Sequence, residues 1–236
     1  MLIAARNSFL MGGGSSTPTA RDYVQDGLIA MWDGIENAGW GVHDASATTW
    51  ADLVGRSATA PIPSGWSFSD KCLNVESSDS LTFPTQFYQT YTVEYLFQVV
   101  QYVNECLFES VAGNAGFRYK LTSGSGLQLY FNSGYLTVNT ATYAETFLAP
   151  MSVSGSVVGQ QTQGIVASYK NGSLVGSGTL EAPTATADTP SWSIGRRNTK
   201  YGCKQKCYAF RLYNRALTSD EIAANYAIDK ARFNLP

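Results

Sequence analysis

The chain has 236 residues, 14% of them charged and 13% aromatic, and a formal net charge of −2. That length suits one all-β domain with a full core. The charge leaves no basic footprint, and no apolar run reaches the ~18 residues that cross a bilayer, so neither nucleic-acid binding nor membrane insertion is expected.

The opening Met1-Leu-Ile-Ala-Ala-Arg-Asn-Ser-Phe-Leu-Met11 is mildly apolar, but Arg6 splits it. It lacks the charged start and small-residue cleavage site of a secretion signal. Gly12-Gly-Gly-Ser-Ser16 follows as a flexible joint. Residues 1–25 are expected to be a tail or an assembly peptide that docks on a partner or on other copies of the chain. Residues 26–236 are expected to form the domain.

Residues 27–32, Gly-Leu-Ile-Ala-Met-Trp, read as the first strand. Residues 33–46 are a polar, glycine-bearing loop that carries Trp40 and His43. Trp50 begins a short segment closing that loop and is expected in the core. Pro61 and Pro63 bar a central strand nearby. Short strands are expected over 66–69, 71–75 and 81–83. Residues 91–101 are long and nearly all apolar, so this strand should be central and covered on both faces. Residues 104–110, 117–122, 127–132 and 135–139 form a meander broken at Gly113, Gly124, Gly126 and Gly134.

Strands over 151–158 and 164–170 follow. Asn171-Gly172 is the strongest hairpin signal in the chain, because both residues tolerate the positive φ of a type I′ turn. Asn171-Gly-Ser173 is also a glycosylation sequon, read here only as a turn. Strands over 174–180, 191–195 and 206–213 complete the set. In the last, Tyr208, Phe210, Leu212 and Asn214 alternate with Ala209, Arg211 and Tyr213, which predicts one buried face. Thr218-Ser-Asp-Glu221 spells a capping box opening one short helix, with Ile222 and Tyr226 one turn apart on its inner stripe. Many short strands at 8–12-residue spacing predict a two-sheet antiparallel sandwich.

The four cysteines are Cys72, Cys106, Cys203 and Cys207. The Cys203-Lys-Gln-Lys-Cys207 spacing admits a local disulfide or half a metal site. Reduced, buried thiols are the expected state, because Cys72 and Cys106 sit in apolar strands. His43 is the one histidine, too few for the common zinc-finger sets, and no nucleophile elbow or phosphate loop accompanies it.

The stretch Phe210-Arg-Leu-Tyr-Asn-Arg-Ala-Leu-Thr-Ser-Asp-Glu-Ile-Ala-Ala-Asn-Tyr226 is similar to the closing strand and helix of laminin-G-like jelly-roll domains, in the concanavalin A-like lectin/glucanase superfamily. Residues 27–32, 91–97 and 166–178 resemble the opening strand, a central strand and the penultimate hairpin of the same domains. The resemblance covers residues 26–230. It implies an all-β jelly-roll sandwich with one short C-terminal helix, a scaffold that carries sugar binders, hydrolases, adhesion modules and virion parts alike.

Glucanases on this scaffold carry a strand motif of the type Glu-x-Asp-x-Glu. The near match is Glu105-Cys-Leu-Phe-Glu109, with Leu107 where the middle carboxylate would stand. Two glutamates without it have nothing to orient a nucleophile and separate the two pKa values. A non-catalytic module is therefore expected. Some laminin-G-like domains bind calcium, and Asp33, Asp44, Asp79 and Asp188 are the loop carboxylates that could supply it. No dense Asp/Asn loop accompanies them, so no cofactor is expected.

Sugar recognition needs rings that stack on pyranose faces and polar groups for hydroxyls. Trp40 is the first candidate, a tryptophan in a polar loop. Tyr130 and Asn132 alternate with Leu127, Leu129 and Phe131, so they should face out, near Arg118 or Lys120 on the neighbouring strand. The opening peptide also resembles the starts of phage virion proteins. That resemblance implies a virion accessory (a head fibre, decoration or tail-associated adhesin) whose partners are host glycans or other virion proteins, assembled through its N-terminal residues. The alternatives are a bacterial cell-surface carbohydrate-binding module and a glucanase-type hydrolase.

Overall fold

The computed structural model describes residues 17–76, 79–83, 90–101, 108–110, 117–122, 126–131, 134–139, 147–157, 163–181, 192–195 and 204–236. Of these, 109–166 and 180–181 are described by their backbone course. A 3-10 turn (Ala20–Asp22) leads into β1 (Leu28–Asp33), β2 (Thr49–Trp50), β3 (Ala60–Pro61), β4 (Ser67–Ser69), β5 (Cys72–Val75) and β6 (Ser80–Phe83). Then come β7 (Thr90–Gln101), β8 (Phe108–Ser110), β9 (Phe117–Thr122), β10 (Gly126–Phe131), β11 (Gly134–Asn139) and β12 (Phe147–Val157). β13 (Gln163–Lys170), β14 (Ser173–Glu181), β15 (Trp192–Gly195), β16 (Lys204–Tyr213) and helix α1 (Ser219–Phe233) complete the chain.

Two antiparallel sheets make the sandwich. The larger runs β14-β13-β12-β7-β16-β5-β4, and β1 also pairs with β16. β5 pairs with residues 205–207 of β16 and β1 with residues 209–213, so the two short strands follow one another along one side of it. The second sheet runs β11-β10-β9-β8-β15-β6. The two-residue strands β2 and β3 pair apart from both, as the prolines there predict. β7 lies inside the large sheet and is buried from Tyr91 to Phe97.

Between the sheets lies an aromatic core. Phe83 stacks on Phe210 at 4.6 Å, Trp32 meets Phe83 at 4.6 Å, and Tyr95 meets Phe108 at 4.9 Å. Trp50 is fully buried there and donates from its indole nitrogen to the Asp33 carbonyl at 3.0 Å.

The outer face of the large sheet is also covered, by α1. That corrects the expectation for β16. Ala209, Arg211 and Tyr213 are buried as completely as Phe210 and Leu212. The inner stripe of α1 is also different from the expected one. It carries Ile222, Asn225, Asp229 and Arg232, while Tyr226 is half-buried. The capping box forms as read: the Glu221 amide donates to Thr218 Oγ1 at 3.2 Å, and the Thr218 amide donates to Glu221 at 2.8 Å.

Residues 17–25 belong to the packed body. Ala20 and Tyr23 are buried, so the domain starts ahead of the boundary expected at 26. β12 begins at Phe147, earlier than read, and contains Pro150. The β13 ladder ends at Met151, so Pro150 has lost one neighbour and needs no amide on that side. Asn171 (φ 53°) and Gly172 (φ 74°) form the expected turn between β13 and β14. Cys72 and Cys207 are buried, free thiols; Cys106 and Cys203, and with Cys203 the expected alternative of a local disulfide, lie outside the described residues.

Candidate functional site

Where β1 ends, the chain makes a turn held by its own carboxylate. Asp33 accepts from the amides of Ile35 and Glu36 at 2.9 and 3.0 Å. Gly34 then passes against the β4–β5 turn so closely that a Cβ would lie 2.3 Å from the Lys71 carbonyl oxygen. Asn37, fully buried, clamps the loop by donating to the Asp44 carbonyl (2.7 Å) and accepting from the Asp44 amide (2.8 Å). A tight turn closed by the Val42 amide on Gly39 O (2.9 Å) presents Trp40 and Gly41.

These pieces enclose a cleft of about 430 Å³, lined among others by Glu36, His43, Asp70, Lys71 and the 17–19 segment. That size suits a small ligand. His43 Nδ1 lies 3.2 Å from the Ile35 carbonyl oxygen, so that nitrogen donates there and holds the ring at the cleft. Lys71 donates to the Arg232 carbonyl at 3.2 Å, at the C-terminal end of α1, where a cation suits the helix dipole. Asp70 is an exposed acceptor. Ile35 and Pro18 give apolar wall.

Behind the cleft lies a buried ionic network. Arg232 binds both oxygens of Asp33, Glu36 Oε1 (2.9 Å) and the Tyr23 hydroxyl (3.2 Å). Tyr23 donates to Asp229 Oδ1 at 2.7 Å. Arg211 binds Asp229 twice, at 2.8 and 2.7 Å, and Glu94 at 2.6 Å. Asn225 donates to Glu94 and accepts from the Val24 amide, both at 2.9 Å. Burial pushes the Asp33 and Glu94 carboxyls up, against the pull of Arg232 and Arg211. Burial also pushes the Tyr23 phenol well up, and Asp229 adds to it.

The expected residues fall into two places. Trp40 is half-buried, packed on the helix-covered face of the large sheet, and the Arg21 guanidinium covers its ring at 4.2 Å. Arg118 and Tyr130 are direct register partners on β9 and β10, in the opposite sheet. Register sets Arg118 opposite Glu109 as well. Asn132 and Glu105 lie outside the described residues. Trp40 therefore does not share one surface with Arg118 and Tyr130.

The four loop aspartates do not converge either. Asp33 ends a strand and is buried on Arg232. Asp44 accepts from the amide and hydroxyl of Ser46 at 2.8 and 2.6 Å, which holds its carboxyl below the usual range. Asp79 accepts from the Ser80 amide, and Asp188 lies outside the described residues. Among the described residues no three His, Cys, Asp or Glu side chains are grouped to hold a metal.

Glu36, Asp70, Lys71 and Arg232 were not singled out from sequence. One signal was available for Arg232: Asn225, Asp229 and Arg232 recur at helical spacing beside Ile222, a polar stripe on an inward face.

Two packed jelly-roll sheets with a covering helix define a concanavalin A-like sandwich. The chain belongs to the laminin G family of the concanavalin A-like lectin/glucanases superfamily, whose model matches residues 74–223. No curated protein matches it in sequence. Among solved structures it is similar to Trypanosoma rangeli sialidase (16% identity, TM-score 0.64), covering 92% of this chain and 34% of the sialidase. It is similar to the botulinum neurotoxin type G receptor binding domain (12% identity, TM-score 0.62), covering 86% of this chain and 52% of that one. It also resembles a botulinum neurotoxin type C structure whose cell entry depends on two ganglioside molecules (12% identity, TM-score 0.63), covering 85% of this chain and 51% of that one. The chain thus spans between about a third and about half of these proteins, and the likeness is one of fold.

Proposed function

We propose that this chain is a non-catalytic recognition module that binds a glycan in the cleft beside Trp40. The observation that carries the reading is the lining of that cleft. Lys71 supplies donors, Asp70 supplies acceptors, His43 supplies a polar ring edge, Ile35 and Pro18 supply apolar contact, and Trp40 stands next in the chain to the lining Gly41, outside the lining itself. A pyranose, with hydroxyls around an apolar face, matches such a mixed set. Superfamily membership and the ganglioside dependence of one structural neighbour support the same reading.

The carboxylates near the cleft favour binding over hydrolysis. Asp33 and Glu36 are each held by Arg232 and both Glu36 oxygens are occupied, which leaves Asp70 as the one exposed carboxylate of the lining rather than a pair. A retaining hydrolase needs two carboxyls about 5–5.5 Å apart with one free to donate a proton. The setting we favour is a virion accessory that oligomerises through residues 1–16, from the resemblance of the opening peptide. A bacterial surface lectin is the alternative.

A glycan array with the intact chain tests the binding reading. Signal that disappears in Trp40→Ala and Lys71→Ala supports it, and silence across the array rejects it. Sugar release by the pure chain that Glu105→Gln or Glu109→Gln abolishes would reject the non-catalytic part. Deleting residues 1–16 should lower the mass in solution; an unchanged mass rejects the assembly role.

A further inference from the structure

We infer that Glu36 is the positioning residue of the cleft, one carboxylate that ties its three walls together. The inference rests on reading the cleft as the ligand site. Glu36 Oε1 accepts from the Ala20 amide at 3.1 Å, which docks the N-terminal strap of residues 17–25. The same oxygen accepts from Arg232 Nη2 at 2.9 Å, which fixes it to the C-terminal end of α1. Glu36 Oε2 accepts from the Gly41 amide at 2.8 Å, which sets the turn that presents Trp40.

These three partners come from distant parts of the chain. No ladder hydrogen bond joins the strap to the Trp40 turn among the described residues. Residues 17–19 form one side of the cleft, and Gly41 and His43 form another. The hydrogen bonds that set the spacing between them run through Glu36, only 7% exposed, beside the Arg21–Trp40 contact at 4.2 Å, with further anchors at Tyr23–Asp229 (2.7 Å) and Val24–Asn225 (2.9 Å) on the strap side. A ligand that needs both sides at a fixed separation binds more weakly when the carboxylate is lost. Ligand in the cleft must in turn favour the docked strap, because coupling between two binding events is reciprocal.

The chemistry separates this role from general stabilisation. In Glu36→Gln the amide oxygen stays on the Oε1 side, because an NH2 group there would face the Arg232 cation. The NH2 group then faces the Gly41 amide, donor against donor. Gly41 should lose its partner while Ala20 keeps its own. In Glu36→Ala both amides lose theirs.

Amide hydrogen exchange on the full chain reads this directly. Glu36→Gln should speed exchange at Gly41 at least tenfold and leave Ala20 within about twofold. Glu36→Ala should speed both, with the central strand amides of Tyr95 and Leu212 unchanged. No selective change at Gly41 in Glu36→Gln, or equal acceleration throughout the molecule, overturns the assignment. On the glycan array, both variants should lose at least tenfold signal on whatever the wild-type chain binds, and retained signal overturns the positioning role. If the wild-type chain binds no glycan, the function reading fails while the exchange pattern still decides the role of Glu36.

Discussion

Arg211 on β16 grips Asp229 on α1 through two hydrogen bonds of 2.8 and 2.7 Å, and both side chains are buried. Glu94 on β7 meets the same guanidinium at 2.6 Å. One cation therefore neutralises two carboxylates between the large sheet and the helix. Removing it takes from both the guanidinium they share in a dry layer and leaves them their neutral donors Tyr23 and Asn225; breaking a buried pair costs about 3–5 kcal/mol. Arg211→Met, which keeps most of the volume, should lower the unfolding free energy by about that amount in a urea titration. A loss under about 1 kcal/mol would show that the pair is not holding the helix down.

The acidic groups should shift stability with pH in opposite senses. Burial raises the Glu94 carboxyl above its ordinary 4.5, so the folded protein holds that proton more tightly than the unfolded chain. Its ionisation opposes folding, and its contribution falls as pH rises from about 4.5 towards the raised value. Glu221 is held down to about 2, first by its hydrogen bond from Arg215. Its contribution is present above 4.5 and is lost as pH falls towards about 2. Urea titrations between pH 2 and pH 6 should therefore show the wild-type advantage over Glu221→Gln growing from pH 2 to 4.5. The wild-type advantage over Glu94→Gln should shrink above pH 4.5. Two differences sloping the same way would contradict the assignment.

Most of the scaffold was legible because it obeys local rules. Asn171-Gly172, the Thr218–Glu221 box and the apolar run of β7 each signal their structure within a few residues. The cleft was not legible, because its residues meet only through tertiary contacts. Glu36 looks like one more loop acid until Ala20, Gly41 and Arg232 converge on it from three separate stretches. Trp40 stood out by composition, but nothing local says that Arg21 lies on its face. The burial of Arg211 was hidden for a related reason: alternation predicts which face a residue takes, not that a helix will cover that face.

Gly34 should prove intolerant of any side chain. Its added Cβ would stand 2.3 Å from the Lys71 carbonyl oxygen and 2.8 Å from Cys72 Cα, both backbone atoms with no rotamer to escape into. Gly34→Ala must push β1 and the β4–β5 turn apart, and Lys71 moves with that turn. Overpacking of this kind costs about 1–3 kcal/mol. Gly39→Ala reports the other cause of glycine intolerance, because a Cβ there meets nothing within 4 Å and only its φ of +140° opposes a side chain. Thermal melts should show Gly34→Ala clearly below wild type, and an unchanged melt would show that the close approach is relaxed in solution.

Arg21 and Trp40 make the most direct test of where a sugar sits. The guanidinium lies 4.2 Å from the ring centre, so it occupies the face a pyranose would need. An exposed cation–π contact is worth about 0.5–1 kcal/mol. A sugar stacking on that face must displace it and give up that free energy. Arg21→Ala should then raise glycan affinity by about two- to fivefold, since about 1.4 kcal/mol is tenfold. Trp40→Ala should abolish binding in either background, and Tyr130→Ala, in the opposite sheet, should leave it unchanged. If Arg21→Ala weakens binding instead, the arginine is itself a ligand contact and Trp40 serves to orient it. If only Tyr130→Ala matters, the sugar lies on the six-stranded sheet, and the cleft beside Trp40 is not its seat.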